Sequence, residues 1–294
     1  MTETETPNTA ITTELIDGKS IAADVRKQVA ERVSEFKSAH GRAPRLVTIL
    51  VGDDPASHVY VNNKHKACAE VGIDSDDERL PASTNSEFLA NLIDQLNRRD
   101  DVDGILLQLP LPDGLDDDSM TELIAPEKDV DGLTTANVGR VVQGRDALTP
   151  CTPRGVMILL EKVGAQLNGA EAVVIGRSNL VGKPVASLLL AQNATVTTCH
   201  SRTRELAELS RRADILVTCV GSPKLISGDM VKPGAIVIDV GTTRSENGLV
   251  GDVDFDAVQG IAGAVTPVPG GVGPMTISCL LENTVKAAET RAGA

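Results

Sequence analysis

The hydrophobic residues of the chain recur at two spacings, one typical of helices and one typical of strands. In the first helical segment, residues 19–39, they lie three or four positions apart, at Ile21, Val25, Val29, Val33 and Phe36. This spacing places them on one side of a helix. Shorter, mostly apolar runs at residues 46–51 and 102–110 are typical of strands that are covered on both faces.

The rest of the chain continues this alternation. Helices are predicted over residues 56–71, with Gly72 as the C-cap, over 87–97 and over 155–163. Further strands are predicted at residues 172–175, 195–199, 215–220, 235–240 and 261–265. Strands and helices in this order form a parallel, doubly wound sheet, so the predicted fold class is α/β.

Prolines and glycines divide the chain into two predicted domains. The Pro-rich segment 149–153 is interpreted as the start of the second domain, and the Gly/Pro cluster 267–274 as its end. A last helix, residues 275–291, is expected to return to the first domain. The predicted domains are therefore 1–149 with 275–294, and 150–274. Residues 1–13 are expected to form a short frayed tail.

The composition excludes several classes of protein. The 294-residue chain has 41% hydrophobic and 23% charged residues, the balance of a globular protein. It contains no apolar run near the roughly 18 residues of a membrane span, and no secretory signal at residues 1–13. A net charge of −13 would repel nucleic-acid phosphates. Five cysteines without a CxxC pair favour a reducing cytoplasm.

A glycine turn follows the predicted strand at residues 172–175. Gly176 and Gly182 flank this turn, and a helix is predicted to start there. Such a turn directs backbone N–H groups and the positive end of a helix at a phosphate. Five residues separate the glycines, which departs from the GxGxxG fingerprint of dinucleotide sites. A simple strand-to-helix turn is the alternative interpretation.

The end of the next predicted strand indicates which dinucleotide would bind. NAD enzymes usually carry an acidic residue there for the ribose 2′-hydroxyl, whereas the 2′-phosphate of NADP calls for cations and hydroxyl donors. The segment here is His200-Ser201-Arg202, without an acid. Ser201 and Arg202, with Arg177 from the glycine turn, are therefore predicted to hold the phosphate of NADP. Arg202 alone would also fit a solvated surface charge.

A tyrosine and a lysine are predicted to share one face of the helix at residues 56–71. Tyr60, the sole tyrosine, precedes Lys64 by four positions, and this spacing brings the two side chains together. An aromatic ring beside an amine suits a flat aromatic substrate that must exchange a proton. An amphipathic helix with an exposed lysine and a half-buried tyrosine is the alternative.

Polar residues also accompany the apolar run at residues 102–110. Gln108 lies near its carboxyl end, the edge at which open α/β sheets bind ligands; a satisfied core amide is the alternative. Asp129 and Asp131 lie in a predicted loop, where an Asp-Gly turn is the alternative. Since no His or carboxylate cluster accompanies them, no metal site is predicted.

Six segments of the chain together resemble the motifs of one enzyme family, in the same order. They are residues 55–64 (PASHVYVNNK), 104–112 (GILLQLPLP), 126–133 (PEKDVDGL), 150–153 (PCTP), 176–178 (GRS) and 269–276 (PGGVGPMT). The family is that of the bifunctional methylenetetrahydrofolate dehydrogenase and methenyltetrahydrofolate cyclohydrolase. The resemblance covers nearly the whole chain, and the first and last segments are highly specific in combination.

The resemblance implies roles for the candidate residues on the substrate side. Lys64 would transfer the proton of the cyclohydrolase step, and Gln108 would position Lys64 and the ligand. Asp131 would bind the pterin, and Tyr60 would stack on the aminobenzoyl ring. The backbone would approach folate and nicotinamide closely at a segment that contains Pro269, Gly270, Gly271 and Gly273.

On the cofactor side, the resemblance implies contacts from Gly176, Arg177 and Ser178. The family commonly has Gly-Ile-Asn after the fourth strand of its nucleotide domain, whereas this chain has Gly241-Thr-Thr243. A backbone contact from Thr242 to the nicotinamide side is compatible with that change.

The implied architecture is a folate-binding α/β domain beside a Rossmann-like NADP domain. The implied activity in one-carbon metabolism is the NADP-dependent oxidation of 5,10-methylenetetrahydrofolate to the methenyl form, followed by hydrolysis to 10-formyltetrahydrofolate. A homodimer through the nucleotide domain is also implied. Two alternatives remain, a monofunctional NAD(P)-dependent methylenetetrahydrofolate dehydrogenase and a non-catalytic nucleotide-binding module. Lys64 argues against the first, and its combination with Tyr60, Gln108 and Asp131 argues against the second.

Overall fold

Two parallel β-sheets form the framework of the structure, a computed structural model that describes residues 11–246 and 248–293. Most of the predicted tail at residues 1–13 therefore lies outside the described residues. The strands are β1 (Glu14–Leu15), β2 (Arg45–Val51), β3 (Asp74–Leu80), β4 (Gly104–Leu107), β5 (Glu171–Ile175), β6 (Thr195–Cys199), β7 (Ile215–Thr218), β8 (Ile236–Asp239), β9 (Thr243–Ser245), β10 (Gly248–Val250) and β11 (Ala264–Val265). The α-helices are α1 (Gly18–His40), α2 (Pro55–Val71), α3 (Ser86–Arg98), α4 (Asp117–Thr121), α5 (Thr135–Val142), α6 (Cys151–Lys162), α7 (Gly182–Ala191), α8 (Leu206–Ser210) and α9 (Val272–Ala292).

The smaller sheet has the strand order β3-β2-β4, with both pairings parallel. Its central strand, β2, is almost completely buried, as its apolar run predicts. The edge strand β3 was not predicted, because its sequence is mostly acidic and has no apolar run. Strand β4 is shorter than the predicted 102–110 at both ends: the Val102 N–H closes a turn onto the Arg99 carbonyl, and Pro110 has no N–H to donate to a neighbouring strand. Gln108 is therefore the first residue beyond the strand.

The larger sheet has the order β1-β11-β8-β7-β5-β6, and all its pairings are parallel. The parallel, doubly wound sheet predicted from the sequence is confirmed. The predicted last strand, residues 261–265, is reduced to β11, because the N–H groups of Ile261 and Ala262 close turns onto the Val258 carbonyl. A separate antiparallel pair, β9 and β10, follows β8.

Strand β1 belongs to the larger sheet, although its residues lie within the predicted first domain. The Glu14 N–H donates to the Gly263 carbonyl at 2.8 Å, and the Ile16 N–H to the Val265 carbonyl at 2.9 Å. The side chain of Ile16 is buried in the main hydrophobic core. A two-residue strand carries too little pattern for the sequence to reveal its partner.

Polar caps set the limits of the two N-terminal helices. The Asp17 carboxylate accepts hydrogen bonds from the backbone of the first turn of α1, and Asp54 caps α2 through the Ser57 N–H at 2.8 Å. Helix α2 ends at Gly72, which has the left-handed φ of 83° and confirms the predicted C-cap. The short helices α4 and α5 were not predicted.

Helix α9 starts at Val272, before the predicted 275, and packs against α1 and α6. The Ser278 hydroxyl donates to the Ala22 carbonyl of α1 at 3.1 Å. Buried residues lie on most sides of this helix, including Met275, Leu281 and Val285. The last helix thus contacts α1 of the predicted first domain, and it also contacts α6 of the predicted second domain.

A buried lysine closes the carboxyl end of α3. The Lys128 ammonium donates to the carbonyls of Leu96, Asn97 and Arg99 at 3.1, 2.8 and 2.6 Å. These carbonyls lie at the negative end of the helix, where a cation is favourable. Only 2% of Lys128 is exposed, and burial lowers its pKa to about 8.

We expect Lys128→Met to lower the free energy of unfolding by about 1–3 kcal/mol, because it leaves buried carbonyls without a donor. Urea unfolding at pH 7, below the pKa of about 8, measures the effect while the wild-type group is charged. Lys162→Met, at an exposed lysine on α6, is the control and should change stability by less than about 0.5 kcal/mol. Equal stability of the two variants would contradict the capping role.

Candidate active site

A lysine and a glutamine meet where α2 passes the carboxyl end of β4. The Lys64 ammonium donates to Gln108 Oε1 at 2.9 Å. The Gln108 backbone N–H donates to Ile49 in β2 at 2.9 Å, and its side-chain Nε2 donates to the Leu109 carbonyl at 2.7 Å. Because Nε2 is held in this way, the carbonyl oxygen of the amide is the atom presented to Lys64. Both residues were predicted for the site, and the fold brings them together.

The two predicted loop carboxylates have different surroundings. Asp129 is buried and accepts hydrogen bonds from the Gly132 N–H, the Thr134 N–H and hydroxyl, and Asn137 Nδ2, at 2.8 to 3.0 Å. Its oxygens are therefore engaged within the loop. Asp131, two residues later, is half-buried. The turn interpretation thus applies to Asp129, and Asp131 remains the carboxylate able to accept from a ligand.

Asp131 lies beside Cys151 and within electrostatic range of Lys64. The buried Cys151 thiol lies between the Asp131 carboxylate and the Val130 carbonyl, with Sγ 3.3 Å from the latter. Burial raises the pKa of Asp131, and the Lys64 ammonium partly opposes this by lowering it. A carboxylate, an ammonium and an amide are therefore assembled around one site.

The segment that starts α9 is tied to the same region. The hydroxyls of Thr152, in α6, and Thr276, in α9, are 2.8 Å apart. At Gly271 a Cβ atom would lie only 2.6 Å from the Pro267 carbonyl oxygen, so a side chain would not fit. Gly270 has a left-handed φ of 108°. Around Gly273, by contrast, a Cβ would meet nothing within 4 Å, and this leaves space for a ligand to approach the backbone.

Two predicted substrate residues are exposed. Tyr60 lies one helical turn before Lys64 on α2 and is 56% exposed. Pro269 is exposed and follows a cis peptide bond to Val268. Both surfaces are available to a ligand.

The predicted nucleotide residues gather at the carboxyl edge of the larger sheet. Strands β5 and β6 are neighbours, and the Gly176 N–H donates to the Cys199 carbonyl at 2.9 Å. The exposed side chains of Arg177, Ser201 and Arg202 follow these two strand ends. The cations and hydroxyl predicted for the 2′-phosphate therefore share one edge, and Thr242 follows β8 at the same edge, also exposed.

The glycine turn packs too tightly for side chains at its two glycines. Gly176 has a φ of 128°, and a Cβ there would lie 2.4 Å from Cys219 Sγ. A Cβ on Gly182 would lie 2.3 Å from the Gly176 carbonyl oxygen. The Ser178 hydroxyl accepts from the N–H groups of Val181 and Gly182 at 3.2 and 3.4 Å, which caps the start of α7. Neither glycine therefore tolerates a side chain that would cover the turn.

Two buried carboxylates shape the adjoining loops and were missed in the sequence. Asp252 accepts from the Thr218 hydroxyl and from the N–H groups of Val220 and Ser222, at 2.7 to 2.9 Å. Asp239 accepts from three backbone N–H groups, and burial raises its pKa to about 6. In the sequence, Asp239 stands at the end of an apolar run. An acidic residue at that place can also bind a ligand, so the pattern alone did not reveal its structural role.

The described residues contain neither a cluster placed to hold a metal ion nor a helix able to span a membrane. Across residues 11–246 and 248–293, no group of three or more His, Cys, Asp or Glu is placed to hold a metal ion. Within the same residues, none of the helices has the length and apolarity to span a membrane.

Two family models match the chain. Residues 16–131 match the catalytic domain of tetrahydrofolate dehydrogenase/cyclohydrolase, and residues 150–292 match its NAD(P)-binding domain. Together the two models cover most of the sequence and include both candidate regions.

Relatives resemble the chain over nearly its full length. Bifunctional protein FolD of Moorella thermoacetica is 59% identical, over 94% of this chain and 98% of the relative. Bifunctional protein FolD 2 of Frankia alni is 56% identical, over 95% and 96%.

Solved structures resemble the fold as closely. The FolD methylenetetrahydrofolate dehydrogenase/cyclohydrolase of Campylobacter jejuni is 47% identical with a TM-score of 0.93, over 95% of this chain and 99% of that one. The Trypanosoma brucei dehydrogenase-cyclohydrolase, solved with NADP and an inhibitor, is 40% identical with a TM-score of 0.91, over 96% and 99%.

Proposed function

The chain belongs to the tetrahydrofolate dehydrogenase/cyclohydrolase family, and we propose on this basis that it catalyses both reactions of that name. It oxidises 5,10-methylenetetrahydrofolate to 5,10-methenyltetrahydrofolate with NADP, and then hydrolyses the product to 10-formyltetrahydrofolate. The observation that carries the proposal is the Lys64 ammonium, held 2.9 Å from Gln108 Oε1 at the carboxyl end of β4. The most direct test is to supply methylenetetrahydrofolate and NADP and to follow NADPH and methenyl absorbance together.

Lys64 is the proposed proton-transfer residue of the hydrolytic step. As an amine, Lys64 can take a proton from the water that adds to the methenyl carbon, and as an ammonium it can then give a proton to the nitrogen that leaves this carbon when the ring opens. Gln108 Oε1 accepts a hydrogen bond from Lys64 Nζ and so fixes the orientation of the Lys64 side chain. Gln108 is in turn held by its own bonds to Ile49 and Leu109.

Asp131 and Tyr60 are proposed to bind the substrate. Asp131 is half-buried and retains acceptor capacity, which suits the N–H groups of a pterin. The exposed ring of Tyr60, one turn from Lys64, offers a face on which the aminobenzoyl ring can stack. Pro269, Gly270, Gly271 and Gly273 are proposed to form the side of the site at which the backbone approaches both ligands.

We propose that NADP binds at the carboxyl edge of the larger sheet, which carries Gly176, Arg177, Ser178, Ser201, Arg202 and Thr242. The residues fit the cofactor, because the turn leaves no room for side chains at Gly176 and Gly182, and exposed cations lie at the same sheet edge. NADP held by these residues would supply the hydride acceptor for the methylene carbon of the substrate. No acidic side chain follows β6 in His200-Ser201-Arg202, so a 2′-phosphate meets no like charge from that segment.

We also propose the domain division 1–149 with 275–294, and 150–274, for these two roles. The matches at residues 16–131 and 150–292 support the boundary near residue 150, although the second match includes the last helix. The packing of α9 on α1 supports the return of that helix to the first domain. Strand β1 is the exception, since it pairs with β11.

A cytoplasmic location is proposed as well. The five cysteines are free thiols, and four of them are buried. Burial raises the pKa of Cys68, Cys219 and Cys279 to about 12, so these thiols stay protonated and react slowly. Such a set suits a reducing compartment.

We expect Lys64→Met to lower the rate of methenyl hydrolysis about 10²–10⁴-fold, the usual contribution of a positioned acid or base. Affinity for NADP should be unchanged, because the Gly176 turn lies on the other sheet. Methenyltetrahydrofolate should accumulate wherever hydride transfer persists, since that step needs no proton acceptor at the carbon. Methenyl absorbance measures both the rate of hydrolysis and the accumulation of methenyltetrahydrofolate.

The matched control is Lys66→Met, which removes an exposed lysine from the same helix and should hydrolyse normally. A folded Lys64→Met protein that opens the methenyl ring at the wild-type rate would contradict the assignment. Wild-type protein that forms NADPH but never hydrolyses the methenyl product would favour the monofunctional alternative.

NADP should support turnover far better than NAD, and Arg177→Ala or Ser201→Ala should narrow the difference. Each lost contact to the 2′-phosphate is expected to reduce efficiency with NADP about ten- to a hundredfold, with little change for NAD. The kcat/KM values for the two cofactors give the measurement. Arg98→Ala, at an exposed arginine paired with Asp94 on α3, should leave the ratio unchanged. Equal efficiency with both cofactors in the wild type would contradict the prediction.

A homodimer through the nucleotide-binding sheet is the proposed assembly. Strand β6 is an edge strand with exposed threonines, and the neighbouring Leu190 of α7 is 63% exposed. Light scattering should give twice the chain mass of 30.8 kDa. Leu190→Asp should weaken the dimer, whereas Leu123→Asp, at a leucine 41% exposed beside the other sheet, should not. A wild-type mass of one chain would refute it.

A further inference from the structure

A buried amide on α9 joins two segments that flank the substrate site. Asn283 is 4% exposed, and its Nδ2 donates to the carbonyls of Val130 and Thr149, each at 2.8 Å. The same nitrogen lies 3.7 Å from Cys151 Sγ. A carboxamide nitrogen carries two protons, so these two carbonyls use its full donor capacity.

Both carbonyls belong to peptides that place Asp131. Val130 immediately precedes Asp131, and Thr149 lies two residues before Cys151, whose thiol is beside the Asp131 carboxylate. The two segments are in close contact, because a Cβ on Gly132 would lie 2.6 Å from the Pro150 nitrogen. A small shift of either segment would therefore move the carboxylate.

Neighbouring residues of α9 also hold the segment before Cys151, and the start of α6, against this helix. The Lys286 ammonium donates to the Ala147 carbonyl at 2.9 Å and pairs with Asp146. Arg154 of α6 pairs with Glu282 at 3.3 Å. These contacts are partly exposed, whereas the Asn283 amide is buried and reaches across to the Asp131 segment. Buried hydrogen bonds fix geometry more firmly than exposed ion pairs.

We propose that Asn283 is a positioning residue for the folate substrate, which holds Asp131 in place by joining the peptides of Val130 and Thr149 to α9. The inference rests on the proposed function, in which Asp131 binds the pterin. Asn283 itself touches no reacting atom in this scheme. Its action on the substrate passes through the backbone of residues 130–131.

The decisive variant is Asn283→Asp, which keeps the shape of the side chain and replaces the donor by an acceptor. A carboxylate there would face two carbonyl oxygens and loosen both segments. The KM for methylenetetrahydrofolate should rise about tenfold or more, while the KM for NADP stays within about twofold. Asn283→Gln, which retains the amide, should recover part of the lost affinity.

Hydrogen exchange gives a readout that does not depend on turnover. Backbone amides of residues 129–134 should exchange faster in Asn283→Asp, and those of β5 should not. The matched control is Thr284→Val, because Thr284 is also buried on α9 but bonds only within the helix, to Leu280 at 2.8 Å. Thr284→Val should leave the KM for folate and the exchange at 129–134 unchanged.

Three results would overturn the proposal: an unchanged KM for folate in a folded Asn283→Asp protein, equal rises in both KM values, or the same change in Thr284→Val. If Asn283→Asp does not fold, Asn283→Ser carries the same test with a smaller expected rise. Wild-type protein without any turnover of methylenetetrahydrofolate would instead refute the proposed function. Exchange at 129–134 would then still decide whether Asn283 holds this segment.

Discussion

Helix α9 carries apolar or small residues on most of its sides, so most sides must be covered, and much of the structure is arranged to cover them. Helices α1 and α6 cover it, and its contacts extend to α2, β2 and β4. Met275, Leu281 and Val285 belong to the same hydrophobic cluster as Val25 of α1 and Val174 of β5. Because this cluster includes residues of both sheets, the substrate and nucleotide regions are fixed to one core.

Buried carboxylates also stabilise the loops at the edges of the sheets, through hydrogen bonds. Asp129, Asp239 and Asp252 each accept several hydrogen bonds from nearby N–H or hydroxyl groups. A buried carboxylate is tolerated when such donors replace water. Asp131 differs, since its neighbour is the Cys151 thiol, which donates to the Val130 carbonyl, and burial raises the pKa of Asp131. The carboxylate assigned to substrate binding thus keeps more acceptor capacity for a ligand than Asp129, Asp239 or Asp252.

The sequence predicted the parts of the fold and site that produce a local pattern. Apolar runs revealed β2 and the strands of the larger sheet, and the spacing of Tyr60 and Lys64 placed both on α2. The acidic strand β3 has no such pattern and was missed. The contact between Asn283 and Val130 joins residues 153 positions apart, and a single sequence offers no local signal for it. Roles for Gln108 and Asp131 came from resemblance to a family, while their geometry came from the fold.

The pairing of α1 with α9 also bears on how the protein folds during synthesis. The Arg26 guanidinium donates to the Ser278 hydroxyl at 3.3 Å, across 252 positions of sequence. Contacts this distant close large loops and form slowly. As the ribosome releases the chain, α1 and the smaller sheet emerge early but lack the helix that completes their core. The larger sheet, made mostly of consecutive segments, can pair its strands before α9 appears, so the folate region is the last to be completed.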